Sequence, residues 1–302
     1  MRIASLLSSA TEIVYELGLQ DRLVAISHEC DWPPEALRLP RLSRVRFDPA
    51  GLTSAQIDAE VRRCMLEHGS VYQIDARALA DAKPDLVLTQ AVCEVCAVPT
   101  PSVHEAVREL AAPPRVLSLD AHTLGEIIDT VAQVADAAGE PEVGESTAAA
   151  LRERIGNVRA AVAGRPRPRV LALEWLDPPF APGHWIPEMI ELAGGESLIG
   201  SVGGHSVEIP WAEVEALDPD RLLLVPCGYG LEQAREDAER ARPRLEAIAP
   251  RAIGAGSAAI GHSAWFSRSG PRVVAGIEGL AAWLHPDAFP GGGAKGVIEP
   301  WR

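Results

Sequence analysis

The sequence predicts an α/β protein of two Rossmann-like lobes, related by an internal repeat and joined by one long helix, with a ligand cleft between them. The prediction rests on short apolar runs alternating with helical periodicities along the 302 residues, on a pattern in the first half that recurs in the second, and on an Ala-rich stretch between the halves. The length alone exceeds what one hydrophobic core usually serves.

In chain order, Arg2–Leu7 reads as a buried strand, and Ser9–Leu17 as a helix with Ser8 or Ser9 at its N-cap and Glu12 placed for a capping box. Leu23–Ile26 is a second strand. The helix Arg77–Ala82 leads into a third, Pro84–Thr89. Pro114–Leu119 is a fourth, followed by the apolar-periodic helix Thr123–Ala138. Glu145–Ala163 reads as the connecting helix, broken by Gly-Arg-Pro-Arg-Pro-Arg before a new strand begins at Val170. From there the pattern repeats. Arg2-Ile-Ala-Ser-Leu-Leu finds its partner in Arg169-Val-Leu-Ala-Leu, and Glu16-Leu-Gly with Leu23-Val-Ala matches Glu191-Leu-Ala with Leu198-Ile-Gly. One constant offset, 135 residues, then pairs Ile74 with Ile209, Leu79 with Val214, Pro84 with Pro219, Asp85 with Asp220 and Leu88 with Leu223. The expected organisation is an N-terminal lobe over 1–140, a connecting helix within 141–166, a C-terminal lobe over 167–286 and a flexible Gly/Pro tail over 287–302.

The net charge of −14 argues against a nucleic-acid partner, because phosphate binding needs a basic face. No apolar run reaches the length of a membrane span, so no membrane insertion is expected. Met1–Glu12 resembles a signal peptide, but its apolar run, Ile3–Leu7, is shorter than such a segment needs. The sequence as given reads as cytoplasmic, or as periplasmic or extracellular if a signal was removed. Five cysteines in so long a chain are not a disulfide scaffold.

Ligands of open α/β sheets lie outside the carboxyl ends of the strands, so the loops there carry the functional reading. They are Ser27–Pro34, the Cys93/Cys96 loop, Glu174–Trp185, His205–Trp211, Pro226–Gly230 and Gly261–Pro271. Only 5% of the residues are aromatic, yet Trp32, Trp175, Trp185, Trp211 and Trp265 fall in these loops. Indole faces suit a large, flat, partly apolar ligand. His28, His184, His205 and His262 lie there too, without the tight spacing of a metal motif; His184 and His262, with Cys93 and Cys96, are the metal candidates. No nucleophile elbow, Walker loop or dinucleotide fingerprint follows the first strand, so no catalytic residue is assigned and no enzyme is expected. Cys93-Glu-Val-Cys96 could grip a metal or run redox chemistry. Pro99 and Pro101 place the following helix near Ser102, which leaves the cysteines in a loop and favours free thiols near the ligand.

Ser5–Ser27, Asp31-Trp-Pro-Pro, Ala82–Thr89, Asp177–Gly183, Ile209-Pro-Trp and Ala264–Arg272 resemble the cobalamin-binding members of the superfamily of ABC-transporter substrate-binding proteins that also serves ferric siderophores and haem. The likeness runs from about residue 2 to 284. It implies a non-enzymatic, monomeric solute-binding protein with no covalent cofactor, holding a corrinoid between its lobes. Carried over by position, Trp32, Phe180, Trp211, Trp265 and Phe266 would contact the ligand, and Gln90 and Cys93 stand where relatives carry a first-lobe aromatic. With His184, Trp185 and Tyr229 of the same loops they make up the expected binding residues. A ferric siderophore or haem is the alternative ligand; haem needs an axial donor, for which His184, His262 and Tyr229 are candidates. Relatives dock on an ABC permease through one acidic residue per lobe; counting from Trp211 puts Leu217 there, with Glu213 and Glu215 close by.

Overall fold

The structure is a computed structural model that describes residues 1–92, 98, 100–293 and 295–302. Each half is built on a parallel sheet. In the N-terminal half the strand order is Leu23–Ala25, Ile3–Ser5, Leu86–Thr89, Arg115–Ser118. The C-terminal half runs Glu196–Ser197, Arg169–Leu173, Arg221–Leu224, Ala258–Gly261, with Ile298–Trp301 added antiparallel at the edge. The shared order, second-first-third-fourth, is the repeat seen in sequence.

The inner strands Ile3–Ser5, Leu86–Thr89, Arg169–Leu173, Arg221–Leu224 and Ala258–Gly261 are buried on both faces, and alternate residues serve different cores. Val170 and Ala172 face the helices Leu124–Ala138, Pro141–Val162 and Val273–Leu284, whereas Leu171 and Leu173 face the opposite side. The first of these cores is continuous: it takes Ile3 and Leu86 from one sheet and Val170 and Leu223 from the other. The two halves therefore share a packed interior.

The helix Leu124–Ala138 starts as expected, with Thr123 and Glu126 closing a capping box, and ends at Gly139 in the left-handed region. The connecting helix begins earlier than expected, at Pro141, because proline fits the first turn of a helix and Gly144 continues it. Gly144 also serves packing: a Cβ there would stand 2.5 Å from the Cβ of Ala135.

The first helix, Ser8–Glu16, corrects an expectation. Its N-cap is Leu7, and no side chain caps it. Ser8 lies inside the helix and donates to the Glu29 carbonyl at 2.8 Å, and Glu12 is turned inward toward the other half of the chain. The tail over 287–302 is corrected as well. Ile298–Trp301 pairs with Ala258–Gly261, and Trp301 is 1% exposed.

One segment of the N-terminal half crosses over. Ile57 of the helix Ser54–His68, with Phe47, Leu52 and Val61, packs into the second core of the C-terminal half. Ser54 donates to Asp237 at 2.8 Å, and Arg62 pairs with Glu208 at 2.9 Å.

Candidate functional site

At the carboxyl ends of the strands the two halves meet through charge. The first helix presents Glu12, 5% exposed, and the loop after Leu23–Ala25 presents Asp31. From the other half, Arg272 donates to Glu12 at 2.5 Å, and Arg268 forms a two-pronged pair with Asp31 at 2.5 and 2.8 Å while lying 3.5 Å from Glu12. Burial disfavours the charged form of Asp31, but the hydrogen bonds and charge of Arg268, with Arg272 beyond, hold its carboxyl below the usual range. Two aromatic side chains flank the pair: the Arg272 guanidinium lies 5.0 Å from the ring centre of Trp265 and 5.9 Å from that of Trp32. Trp32 belongs to one lobe and Trp265 to the other. Trp32 remains 49% exposed, leaving an indole face available.

The seam is tight. A Cβ on Gly270 would stand 3.1 Å from Ser9 Cβ and 3.1 Å from Glu12 Oε2, so the backbone of Arg268–Arg272 lies directly on the first helix.

His262 sits in the same cluster, edge-on to Trp265 at 4.9 Å. Its Nδ1 accepts from the Ala264 amide at 3.1 Å and caps the short helix Ser263–Phe266, so this nitrogen is occupied. Burial first, then the charge of Arg268, push its pKa below the ordinary histidine value. With the folded pKa below the unfolded one, the unfolded chain takes up the proton first as pH falls. Stability is then lost from about pH 6.5 downward and levels off below the folded pKa. Between pH 7.5 and 5 the melting temperature should fall more steeply for the native chain than for His262→Asn, which keeps a capping acceptor; parallel slopes would remove His262 from this role.

The remaining aromatics divide into half-buried and fully inward-facing groups. Trp175 and Phe180 pair across a hairpin, and Trp175 lies on Tyr229, ring centres 5.0 Å apart. Tyr229 is 5% exposed; burial, then the Asp237 charge, raise its pKa and keep the phenol neutral. Trp211 opens the helix Trp211–Glu215 and is half-buried against the second core. Trp185 and Phe266 are core residues: Trp185 is 6% exposed and donates to the Phe266 carbonyl at 2.6 Å, and Phe266 is fully enclosed. Gln90 is buried, its Oε1 accepting from the Val92 amide at 2.6 Å. Of the expected binding residues, Trp185, Phe266, Tyr229 and Gln90 thus face inward. Cys93 and Cys96 lie outside the described residues. Among the described residues, Cys30 and Cys64 are buried thiols and Cys227 is exposed.

His184 stands apart from His262. Its ring lies 5.4 Å from His205 and 5.7 Å from His122, centre to centre. Burial first, then the His205 and His122 imidazoles, lower its pKa. Sequence reasoning missed His122, although it follows the strand Arg115–Ser118 and so obeys the strand-end rule used for the other loops. It also missed Glu12, Asp31, Arg268 and Arg272 as contacts.

A hollow of about 350 Å³ beside Arg167, Asp220, Arg221 and Arg251 lies at the amino ends of the strands, opposite this seam. Among the described residues, no helix is long and apolar enough to cross a membrane.

Comparison with known proteins agrees with this arrangement. The family described as "Periplasmic binding protein" matches residues 3–254. A "Vitamin B12-binding protein" of Vibrio cholerae serotype O1 is 27% identical over 216 residues, covering 70% of this chain but less than two thirds, 64%, of the relative. Among solved structures, the periplasmic vitamin B12 binding protein BtuF of Vibrio cholerae superposes with a TM-score of 0.68 at 24% identity, covering 95% of this chain and 97% of that one. A periplasmic heme binding protein from Pseudomonas aeruginosa superposes with a TM-score of 0.72 at 19% identity, covering 100% and 95%. At these identities the structural likeness establishes the two-lobed fold.

Proposed function

The chain belongs to the periplasmic binding protein family, a family of solute-binding proteins rather than enzymes, and we propose that it holds a corrinoid of the cobalamin class between its lobes. The observation that carries this reading is the placement of Trp32 and Trp265, one from each lobe, at a single seam beside Arg272. A corrin ring is broad and flat, with an apolar face and an amide-bearing edge; indole rings from the two lobes complement the first, and charged or N–H donors the second. Curated relatives named for vitamin B12 binding support the same ligand class. The family also favours a periplasmic location over the cytoplasmic one, with an ABC permease as partner. Glu213 and Glu215, both exposed on the helix Trp211–Glu215, are the acidic residues nearest the expected docking position.

Isothermal titration with cyanocobalamin and cobinamide tests the ligand. One-to-one binding is expected, with Trp32→Ala and Trp265→Ala each weakening it at least about tenfold, or roughly 1.4 kcal/mol. No heat and no shift in melting temperature at saturating corrinoid would sink the reading.

Haem is the second reading, favoured by one observation: the Nδ1 of His184 is buried without a hydrogen-bond partner and is chemically able to serve as an axial donor. The neutral, enclosed Tyr229 and the occupied Nδ1 of His262 fit that role poorly. Hemin binding with a Soret shift that disappears in His184→Ala would decide for haem.

A further inference from the structure

We propose that His122, His184 and His205 form a site for a divalent transition-metal ion, bridging the two halves of the protein. His122 comes from the loop between the strand Arg115–Ser118 and the helix Leu124–Ala138 of the N-terminal half. His184 precedes the helix Ile186–Leu192, and His205 precedes the strand Val207–Glu208, both in the C-terminal half. Their ring centres form a triangle with sides of 5.4, 5.7 and 6.2 Å. A metal-bound imidazole has its ring centre about 3 Å from the ion, so three imidazoles around a tetrahedral centre stand about 5 Å apart. The observed triangle is wider than that by about 1 Å at most. As the side chains stand, no group among the described residues already has metal-binding geometry. The His205 ring lies nearly perpendicular to the other two, at 85° and 87°, and His205 is exposed, so rotation about its side-chain bonds is free to bring a nitrogen inward.

Two observations independent of the triangle point to the same place. The first is the unpartnered Nδ1 of His184. A buried ring nitrogen left without a partner costs about 1–3 kcal/mol, and a bound cation or its water would satisfy it. The second is the backbone. His184 has φ of +49°, in the left-handed region that non-glycine residues seldom occupy. It is held there because its amide donates to the Gly204 carbonyl at 2.5 Å and its carbonyl accepts from Gly203 at 2.8 Å. Gly183 has no room for a side chain: a Cβ would stand 2.3 Å from the Ser206 amide and 2.4 Å from the His205 carbonyl carbon. The loops carrying His184 and His205 are therefore locked together in a strained arrangement, which is the form functional sites take.

The surrounding carboxylates are engaged elsewhere. Glu126 accepts from the His122 amide at 2.7 Å and from the Thr123 amide at 3.0 Å, and Glu174 accepts from Ser206. The donor set is three imidazoles, which suits Zn²⁺, Co²⁺, Ni²⁺ or Cu²⁺ and disfavours Mg²⁺ and Ca²⁺. Three protein ligands leave a fourth position open to water or to an incoming anion.

The test is titration of the untagged, chelator-stripped full chain with Co²⁺, read by ligand-field absorbance, without any corrinoid or haem present. One equivalent is expected to bind with tetrahedral band intensity. His205→Ala and His122→Ala should each weaken binding at least tenfold, while their unchanged melting temperature without metal shows that they fold. Cys93→Ser/Cys96→Ser should bind as the native chain does. The proposal is overturned by millimolar or weaker binding, by histidine variants that bind like the native chain, or by a thiolate charge-transfer band lost with the cysteines. The corrinoid reading is independent: it stands or falls on the calorimetry above whatever Co²⁺ does.

Discussion

Arg272→Met is expected to lower the free energy of unfolding by about 3 kcal/mol or more, the range for breaking a buried ion pair from one side. Glu12 has a side chain only 3% exposed, and its remaining cation, Arg268, is 3.5 Å away and committed to Asp31. Removing Arg272 strands a carboxylate in the interior while the Met side chain fills most of the lost volume, so the charge effect dominates. The double variant Glu12→Met/Arg272→Met should regain much of the loss, because an apolar pair of similar size replaces a costly ionic one. Urea denaturation of the singles and the double gives the coupling directly. A cost below about 1 kcal/mol for Arg272→Met would show that the seam is held by packing alone.

The second large effect is at the other end of the chain. Trp301→Ala should cost about 3–5 kcal/mol, the range for truncating a fully buried aromatic. Trp301 is 1% exposed, donates from Nε1 to Glu239 at 2.8 Å, and carries the Arg242 guanidinium 4.5 Å above its ring. Trp301→Phe keeps most of the apolar volume and should lose less than half as much. If the alanine variant unfolds at native denaturant concentrations, the last strand is not part of the cooperative fold.

The fold was readable because its inner strands are buried on both faces and its two halves use the same strand-end chemistry. Leu88 and Leu223 occupy the same place in two sheets of the same order. The last strand was hidden. It follows a Gly/Pro-rich run and contains Pro300, which a central strand rejects; at the sheet edge the missing N–H is tolerated. Of the site, the aromatic loops were visible but the direction of each side chain was not. Trp185 and Trp265 lie in similar loops, yet one donates inward to Phe266 while the other faces Arg272. Glu12 and Arg272 are 260 residues apart, and nothing local marks either as half of a pair. The capping-box reading of Glu12 had the right spacing and the wrong direction: its carboxylate turns across the seam to an arginine instead of back onto the turn it follows.

The crossing segment around Ile57 has a mechanical meaning. With the connecting helix on one side and this second tie, anchored by Ser54 on Asp237, on the other, the halves are fastened at two separated points. Two such fastenings leave little rotation about the helix axis and little separation across the cleft. For the corrinoid proposed above, discrimination would then fall on the fit to walls that scarcely move, and residence time would be set by escape from between them instead of by a swinging of the lobes.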